Sequence, residues 1–247
     1  MTNANLIDAM GCIDPKLIAD AAPDVPQKKS SHKPLAIVVA ACLTLVCLIM
    51  PISISRYNSS FINIESNVGD ISLRYVPKWE IRDGENNSDL LPYFTEFELF
   101  NNAEYIFSGT IESIKQIEMN FDGTRVYKSL ITVTVDEKYK GDCPDTIVIM
   151  GAPIGIWEST NNDLLYSLEK ETYGIFMTDA VLQGEMLSEN NCSFDASQIC
   201  NARIGDGVRF GFIKGENDSI IYDKQAYPTL DKDTWNDAVE YVKKMVS

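Results

Sequence analysis

The alternation of apolar and polar positions is interrupted near the start of the chain by a long apolar run. Residues 35–54 (LAIVVAACLTLVCLIMPISI) contain no charged side chain, and a helix of about 20 residues matches the hydrocarbon core of a bilayer. Three lysines precede this run, namely Lys28, Lys29 and Lys33, whereas only Arg56 follows it closely. By the positive-inside bias, we expect a single-pass cell-membrane protein with a cytoplasmic N-terminus and an extracellular C-terminus.

Two other interpretations of the apolar run stay open. A secretory signal peptide has a short leader and a small-residue cleavage site after the apolar run. Here 34 residues precede the run, and no A-x-A pattern follows it. The segment Val39-Ala40-Ala41-Cys42 loosely fits a lipidation site, but apolar residues continue beyond Cys42. The predicted membrane helix at 35–54 fits the pattern better than either alternative.

The segment before the membrane helix contains two short helical patterns within residues 3–22. Gly11 is typical of a helix end, and Asp14-Pro15 of a helix start. Six apolar residues share one side of these patterns: Leu6, Ile7, Met10, Ile13, Leu17 and Ile18. Two helices this short cannot form a core alone, so we expect them to bind a cytoplasmic partner, to lie on the membrane or to remain disordered. A proline-containing linker completes residues 1–34.

The chain after the membrane helix alternates mostly with a period of two, which predicts a mainly β domain. A hairpin and loop region is expected at 55–91, with its turn at Asn67–Asp70. We expect a short helix at 92–102, with apolar Phe94, Phe97 and Phe100, and a C-terminal helix capped by Asp233. The intervening strands are predicted at 104–119, 126–138, 145–150, 172–178, 208–214 and 219–222.

Several of these strands carry short motifs. The run NAEYIFSGTIESI (102–114) resembles the opening of netrin-like domains, the OB-fold of tissue inhibitors of metalloproteinases. The runs VTVDEKYKGD (133–142), DTIVI (145–149) and ETYGIFM (171–177) are similar to that family's following turn and strands. The resemblance covers about residues 92–182. It implies an OB-like five-stranded Greek-key barrel, with a helix before its first strand and the C-terminal helix after it, within one extracellular domain at 92–247.

The resemblance implies a ligand face on the barrel, but not every property of the family. Glu104 and Tyr105 occupy the start of the strand where the animal inhibitors carry a zinc-chelating cysteine, so zinc chelation is not expected. Four aromatic residues are candidates for the ligand face, with core or rim positions as the alternative: Tyr127, Tyr139, Trp157 and Tyr173.

A second resemblance concerns the cytoplasmic residues. Their arrangement is similar to cytoplasmic segments on single-pass regulators of clostridial-type bacteria, where a partner such as a sigma factor is held at the membrane. It implies an anti-sigma-like role for residues 1–22. The zinc-binding signature of some anti-sigma factors is missing, since His32 stands alone.

Charge and reactive residues limit the chemistry further. The net charge of −15 falls entirely after residue 34, and an acidic surface repels phosphate backbones, so no nucleic-acid partner is expected. With His32 as the only histidine, we expect no catalytic, cofactor or metal site. Of the six cysteines, Cys192 and Cys200 are candidates for a disulfide on the oxidising side of the membrane.

Three hypotheses about function follow. The first is a membrane-tethered extracellular binding or sensing module without catalytic activity, whose partner is a protein or a glycan. The second is a transmembrane regulator whose residues 1–22 hold a cytoplasmic regulatory protein. The third is a surface hydrolase that works through a pair of carboxylates facing each other across a cleft.

Overall fold

The computed structural model describes residues 60–81, 94–154, 168–205 and 209–247. The predicted membrane helix at 35–54, the cytoplasmic residues 1–34 and Trp157 lie outside these ranges. Residues Ser55–Ser247 form one compact unit. Within the ranges that are described, no helix is long and apolar enough to cross a membrane.

The described part of the chain is mainly β, as the sequence predicts. Its helices are α1 (Glu96–Asn102) and α2 (Trp235–Val246). Its strands are β1 (Phe61–Ile62), β2 (Ser66–Val68), β3 (Ile71–Val76), β4 (Tyr105–Phe121), β5 (Thr124–Lys140), β6 (Thr146–Gly151), β7 (Tyr173–Ala180), β8 (Met186–Glu189), β9 (Cys192–Asp195), β10 (Ala202–Arg203), β11 (Gly211–Lys214) and β12 (Ile220–Ile221).

Nine of these strands form one sheet, in the order β1-β3-β4-β5-β6-β10-β7-β11-β12. Because β4 also pairs with β7, the strands β4, β5, β6, β10 and β7 form a closed ring. Strand β10 is parallel to β6 and antiparallel to β7. A separate three-stranded sheet has the order β2-β9-β8.

The β4–β5 hairpin is the longest feature of the sheet. Each strand has 17 residues, and Asp122-Gly123 joins them with φ values of 47° and 95°, which suits a two-residue hairpin turn. The predicted turn and both strands are confirmed, and each end of each strand lies within two residues of its predicted position. A β-bulge between Ile111 and Ser113 shifts the alternation of side chains by one residue.

Three apolar clusters hold the sheet together. Inside the ring lie Phe107, Ile111, Ile131, Val133, Ile147, Ile149 and Phe176. On the outer side, Ile106, Ile175 and Phe212 pack against residues of α1 and α2. At the far end of the hairpin, Leu73, Met119 and Leu130 are covered by β9 and its neighbours. Each cluster buries side chains from the apolar face of a strand or helix.

The N-terminal hairpin differs from the prediction. Strand β1 pairs with β3, but β2 turns away between them and pairs with β9 through Ser66–Phe194 and Val68–Ser193. Since β3 also pairs with β4, this region belongs to the same sheet as the ring. The predicted boundary near residue 91 therefore does not separate two β units.

Both helices are confirmed, with changes in detail. In α1, Phe97 is 62% exposed, so it does not share the buried face of Phe100. Thr95 caps α1 in a capping box with Glu98. Thr234, rather than Asp233, caps α2, because its side chain accepts a hydrogen bond from the amide of Asp237.

Candidate functional site

The inner face of the β4–β5 hairpin becomes polar beyond the ring. After the bulge, Ser129 lies opposite Gln116 and Tyr127 lies opposite Glu118. All four side chains are buried. Since buried polar groups need partners, this row of side chains contrasts with the apolar interior that precedes it on the same strands.

The first pair of this row is completed by the backbone of Ile154. Ser129 Oγ donates to Gln116 Oε1 at 2.8 Å and accepts from the Ile154 amide at 3.0 Å. Gln116 Nε2 donates to the Ile154 carbonyl at 3.4 Å. These bonds satisfy the buried polar atoms and hold the chain after β6 against the hairpin.

The second pair is joined by an arginine from β3. Arg74 Nε donates to Glu118 Oε1, and Nη2 donates to Oε2, both at 3.0 Å. Tyr127 Oη donates to Glu118 Oε2 at 3.0 Å. Arg74 Nη1 also lies 2.9 Å from Glu80 Oε2. One guanidinium group thus binds two carboxylates, in the bidentate geometry that favours Arg over Lys.

The charges of this network stabilise each other. Burial acts to raise the pKa of Glu118, but the hydrogen bonds from Arg74 and Tyr127 outweigh it, so the pKa lies below its ordinary value of 4.5. The hydrogen bond to Glu118 raises the pKa of Arg74. Both groups therefore stay ionised at neutral pH, and Glu118 holds no proton to donate.

A cleft of about 300 Å³ lies beside this network. We call it the Trp79 cleft; it is lined by Arg74, Trp79, Glu80, Glu118, Arg125 and Tyr127. Trp79 is 81% exposed and follows Pro77 on a short 3-10 turn, Lys78–Glu80. A tryptophan this exposed is unusual, because burial of its ring is favourable.

Besides Trp79, the cleft has a second exposed side chain, Arg125. It is exposed and forms no hydrogen bond or ion pair with any residue in the described ranges, whereas Arg74 is held by two carboxylates. Arg125 still lowers the pKa of Glu118 through its charge. The cleft therefore offers an open aromatic ring and a guanidinium group with free donors.

A wider cleft of about 620 Å³ lies where β3 ends. Strand β4 pairs with β7 up to Thr110 and with β3 from Gln116, so this cleft lies between the two partners. Its basic lining residues are Lys78, Lys115 and Lys170, and Lys115 Nζ lies 4.9 Å from the ring centre of Tyr75. This part of a strongly acidic domain is therefore locally basic.

The structure separates the aromatic residues predicted for a ligand face. Tyr139 and Tyr173 come together, since both hydroxyls lie 3.3 Å from Ser108 Oγ. Burial raises the pKa of Tyr139 to about 12. Tyr127 lies on the Trp79 cleft but is only 1% exposed. Its ring therefore offers no open face to a ligand, and its hydroxyl donates to Glu118. Trp157 lies outside the described residues.

The residues that sequence reasoning missed are Arg74, Trp79 and Arg125. Arg74 falls in the predicted N-terminal hairpin, but Arg125 lies just before the strand predicted at 126–138, and the pairing that brings β3 beside β4 depends on contacts distant in the chain. The signal present in the sequence was Trp79 itself, a large apolar side chain directly after Pro77-Lys78, where the alternation of β3 ends.

The three cysteines of the described residues are unpaired in this structure. Cys143, Cys192 and Cys200 are all buried free thiols. Cys192 Sγ donates to the Asn190 carbonyl at 3.6 Å, and Cys200 Sγ donates to the Ala196 carbonyl at 3.5 Å. Burial raises the pKa of Cys200 to about 12. The candidate Cys192–Cys200 disulfide is therefore not formed here.

Comparison with known proteins adds no family to this geometry. No protein-family model matches the chain, no curated protein is significantly similar to it, and no solved structure matches it significantly. The resemblance to netrin-like domains stays a prediction. In the part of the chain that is described, no group of three or more His, Cys, Asp or Glu side chains is arranged to hold a metal ion.

Proposed function

We propose that the extracellular part of this chain is a non-catalytic binding module, tethered by the helix predicted at 35–54, that binds an acidic glycan in the Trp79 cleft. The observation that carries this proposal is the 81% exposed ring of Trp79 beside the unengaged guanidinium of Arg125. Residues of these types dominate binding energy where they are found at interfaces.

The ring of strands supports an OB-like barrel as the scaffold. Taken in chain order, the first ring strand β4 pairs with the second and the fourth, β5 and β7. The third, β6, runs parallel to the fifth, β10. This order supports the proposal of an OB-like Greek-key barrel, a fold that commonly binds oligosaccharides or oligonucleotides on its surface.

The cleft favours a sugar that carries a negative charge. A sugar ring has a flat face of C–H groups that packs on an aromatic ring, as Trp79 offers. A guanidinium group binds a carboxylate or phosphate through two hydrogen bonds, as Arg125 can.

The state of the carboxylates supports binding rather than hydrolysis in this cleft. A glycosidase needs one carboxyl group that is protonated and donates to the leaving oxygen. Glu118 is held ionised by Arg74 and Tyr127, and Glu80 is paired with the same arginine. Glu118 is therefore not available as the general acid of this cleft.

The proposal is tested with soluble protein of residues 56–247, which keeps nearly all of the compact unit Ser55–Ser247. Binding to an immobilised uronate-containing polysaccharide is compared with binding to a neutral one. We expect retention on the acidic polysaccharide only, and at least a tenfold loss in Trp79→Ala and in Arg125→Ala. Phe97→Ala is the matched control, because Phe97 is another exposed aromatic residue at 62%.

Two results would overturn the proposal. One is equal retention of the wild type and Trp79→Ala on the acidic polysaccharide, and the other is no retention on any polysaccharide of the panel. Recovery of one envelope protein by the wild type, lost in Trp79→Ala, would assign the cleft to a protein ligand and exclude the glycan.

The predicted cytoplasmic segment supports a second role, in regulation. The apolar side shared by six residues of 3–22 suits a partner-binding helix pair, and these residues lie outside the described ranges. Deleting residues 1–22 while keeping the membrane helix should change transcription of a defined set of genes. An unchanged transcriptome would remove this role.

A further inference from the structure

A third cleft, on the opposite side of the ring from its interior, lies between α1 and β7. It has a volume of about 260 Å³. We call it the Asp179 cleft; it is lined by Phe94, Leu99, Asn102, Ala103, Met177, Asp179, Gly205, Arg209 and Phe210. It shares no residue with the Trp79 cleft, so its chemistry is independent of the proposed glycan site.

Most of the wall of this cleft is apolar. Helix α1 contributes Leu99 and Ala103, β7 contributes Met177, and Phe210 lies just before β11. These four residues are almost completely buried, with exposures of 1% to 6%. An apolar wall with a few placed polar groups is the usual composition of a small-molecule site.

Asp179 is the acidic group of this wall. It is the next residue after Thr178 on β7, and its side chain is 34% exposed. A side chain on Gly205 would place its Cβ 2.1 Å from Asp179 Oδ2, which no atom can occupy. The glycine at position 205 therefore leaves room for the carboxyl group at the edge of the cleft.

The electrostatic surroundings of Asp179 are negative. Burial raises the pKa of Asp179, and the charges of Glu104 and Glu185 raise it further, while Arg203 lowers it. Arg203 is shared, since its Nε lies 3.8 Å from Asp179 Oδ2 and its Nη1 lies 2.5 Å from Glu185 Oε1. Among the described residues, Arg203 therefore balances only part of the charge on Asp179.

Glu104 completes this arrangement from the chain before β4. Its Oε2 accepts a hydrogen bond from the Ala180 amide at 2.7 Å, which fixes it beside the residue that follows Asp179. Arg209 is the other cation on the cleft. Around the Asp179 carboxyl group, the charges of Glu104 and Glu185 and the shared Arg203 leave a negative balance, so an added cation is favoured there over an added anion.

We propose that the Asp179 cleft binds a small organic cation, an amine with an alkyl or aryl body, through an ion pair with Asp179 and contact with Leu99, Met177 and Phe210. The apolar body replaces water on the wall. The ammonium group would pair with the Asp179 carboxylate, which Arg203 balances only in part because Arg203 also pairs with Glu185. An aryl ring of one six-membered cycle fits within 260 Å³.

The test compares three probes of the same shape on residues 56–247: benzylamine, benzyl alcohol and benzoate. We expect benzylamine to bind most tightly by ligand-observed NMR, and benzoate not to bind. Asp179→Asn should weaken benzylamine binding at least fivefold and leave benzyl alcohol unchanged. Asp122→Asn is the matched control, since Asp122 lies in the exposed turn of the β4–β5 hairpin.

The same experiment distinguishes a loss of benzylamine binding from unfolding of the variant and from an effect on the proposed glycan site. The thermal unfolding midpoint of Asp179→Asn shows whether the variant is folded. Leu99→Met gives a second test, because it changes the apolar wall with little change in side-chain volume. It should shift the affinity for benzylamine and for benzyl alcohol alike. Trp79→Ala should leave benzylamine binding unchanged. Equal binding of benzylamine and benzoate, unchanged benzylamine binding in Asp179→Asn, or no binding of benzylamine to the wild type would each overturn the proposal.

Discussion

Arg74 and Glu118 form a two-point ion pair across β3 and β4, with both N–O distances at 3.0 Å. The Glu118 side chain is 7% exposed and that of Arg74 is 27% exposed. This pair joins the N-terminal strands to the β4–β5 hairpin and forms the floor of the Trp79 cleft. It therefore connects the stability of the domain with the shape of its candidate site.

Replacing Glu118 by Gln should destabilise the domain. The substitution leaves the Arg74 guanidinium without its main counter-charge in a largely buried position. We expect a loss of about 2 to 3 kcal/mol, somewhat below the cost for a fully buried pair because Arg74 is partly exposed. Urea denaturation of residues 56–247, followed by circular dichroism, measures the change.

Lys138→Gln is the control for this substitution. It removes an ion pair with Asp142 and Asp145, whose side chains are 99% and 94% exposed, and exposed pairs contribute little. We expect an unchanged urea midpoint. A Glu118→Gln midpoint equal to that of Lys138→Gln would contradict the structural role of the buried pair.

The pH dependence of stability provides a separate measurement on Glu118. Because its pKa in the folded protein lies below the ordinary value of 4.5, its stabilising effect is complete above the unfolded pKa and is lost as the pH falls through the folded pKa. The difference in unfolding free energy between wild type and Glu118→Gln should be constant from about pH 7 to about pH 5 and narrow below about pH 4. A difference that widens on acidification would contradict the assignment.

The three thiols of the described domain should be unreactive until it unfolds. Cys143, Cys192 and Cys200 are buried, and burial raises the pKa of Cys143 and of Cys200, so little thiolate is present. In non-reducing buffer, we expect iodoacetamide to label none of them in the native protein and all three in urea, as read by mass spectrometry. Labelling of a single thiol in urea would instead indicate the Cys192–Cys200 disulfide.

Gly109 should tolerate no side chain. It lies on β4 where that strand pairs with both β5 and β7, and a Cβ there would lie 2.3 Å from the Thr134 carbonyl oxygen. We expect Gly109→Ala to cost about 1 to 3 kcal/mol by overpacking.

Gly151→Ala is the matched control on β6. A Cβ at that position would first meet Ile204 Cδ1 at 3.1 Å, the end of a side chain that can shift. Its urea midpoint should stay within the error of the wild type. Equal midpoints for the two alanine variants would show that the ring accommodates a side chain at position 109.

What the sequence predicted well is local. The β4–β5 hairpin follows from a period-two pattern on both sides of Asp122-Gly123, and α2 follows from its apolar stripe. Pairings between distant segments were not predicted, because nothing near Ser66 indicates that β2 pairs with β9, about 125 residues later. The bulge at Ile111 was not predicted either. Its one inserted residue reverses which face of β4 each later side chain occupies, and so places Gln116 and Glu118 inward.

The candidate site shows this limit most clearly. Tyr127 was identified by its type, yet its role depends on Glu118, nine residues away through the turn, and on Arg74 from another strand. Trp79 was predicted only as the end of a hairpin. Its 81% exposure depends on how the described elements pack in three dimensions, which no local pattern encodes.

The position of Trp79, three residues after β3 ends at Val76, has a mechanical consequence. If the domain is anchored through its N-terminus and holds a ligand at Trp79, the tension that Trp79 bears passes along residues 60–79 and reaches the closed ring only where β3 pairs with β4. The six residue pairs between β3 and β4 would then resist the pull, and their rupture force would limit how strongly a surface-attached cell can hold on through this module.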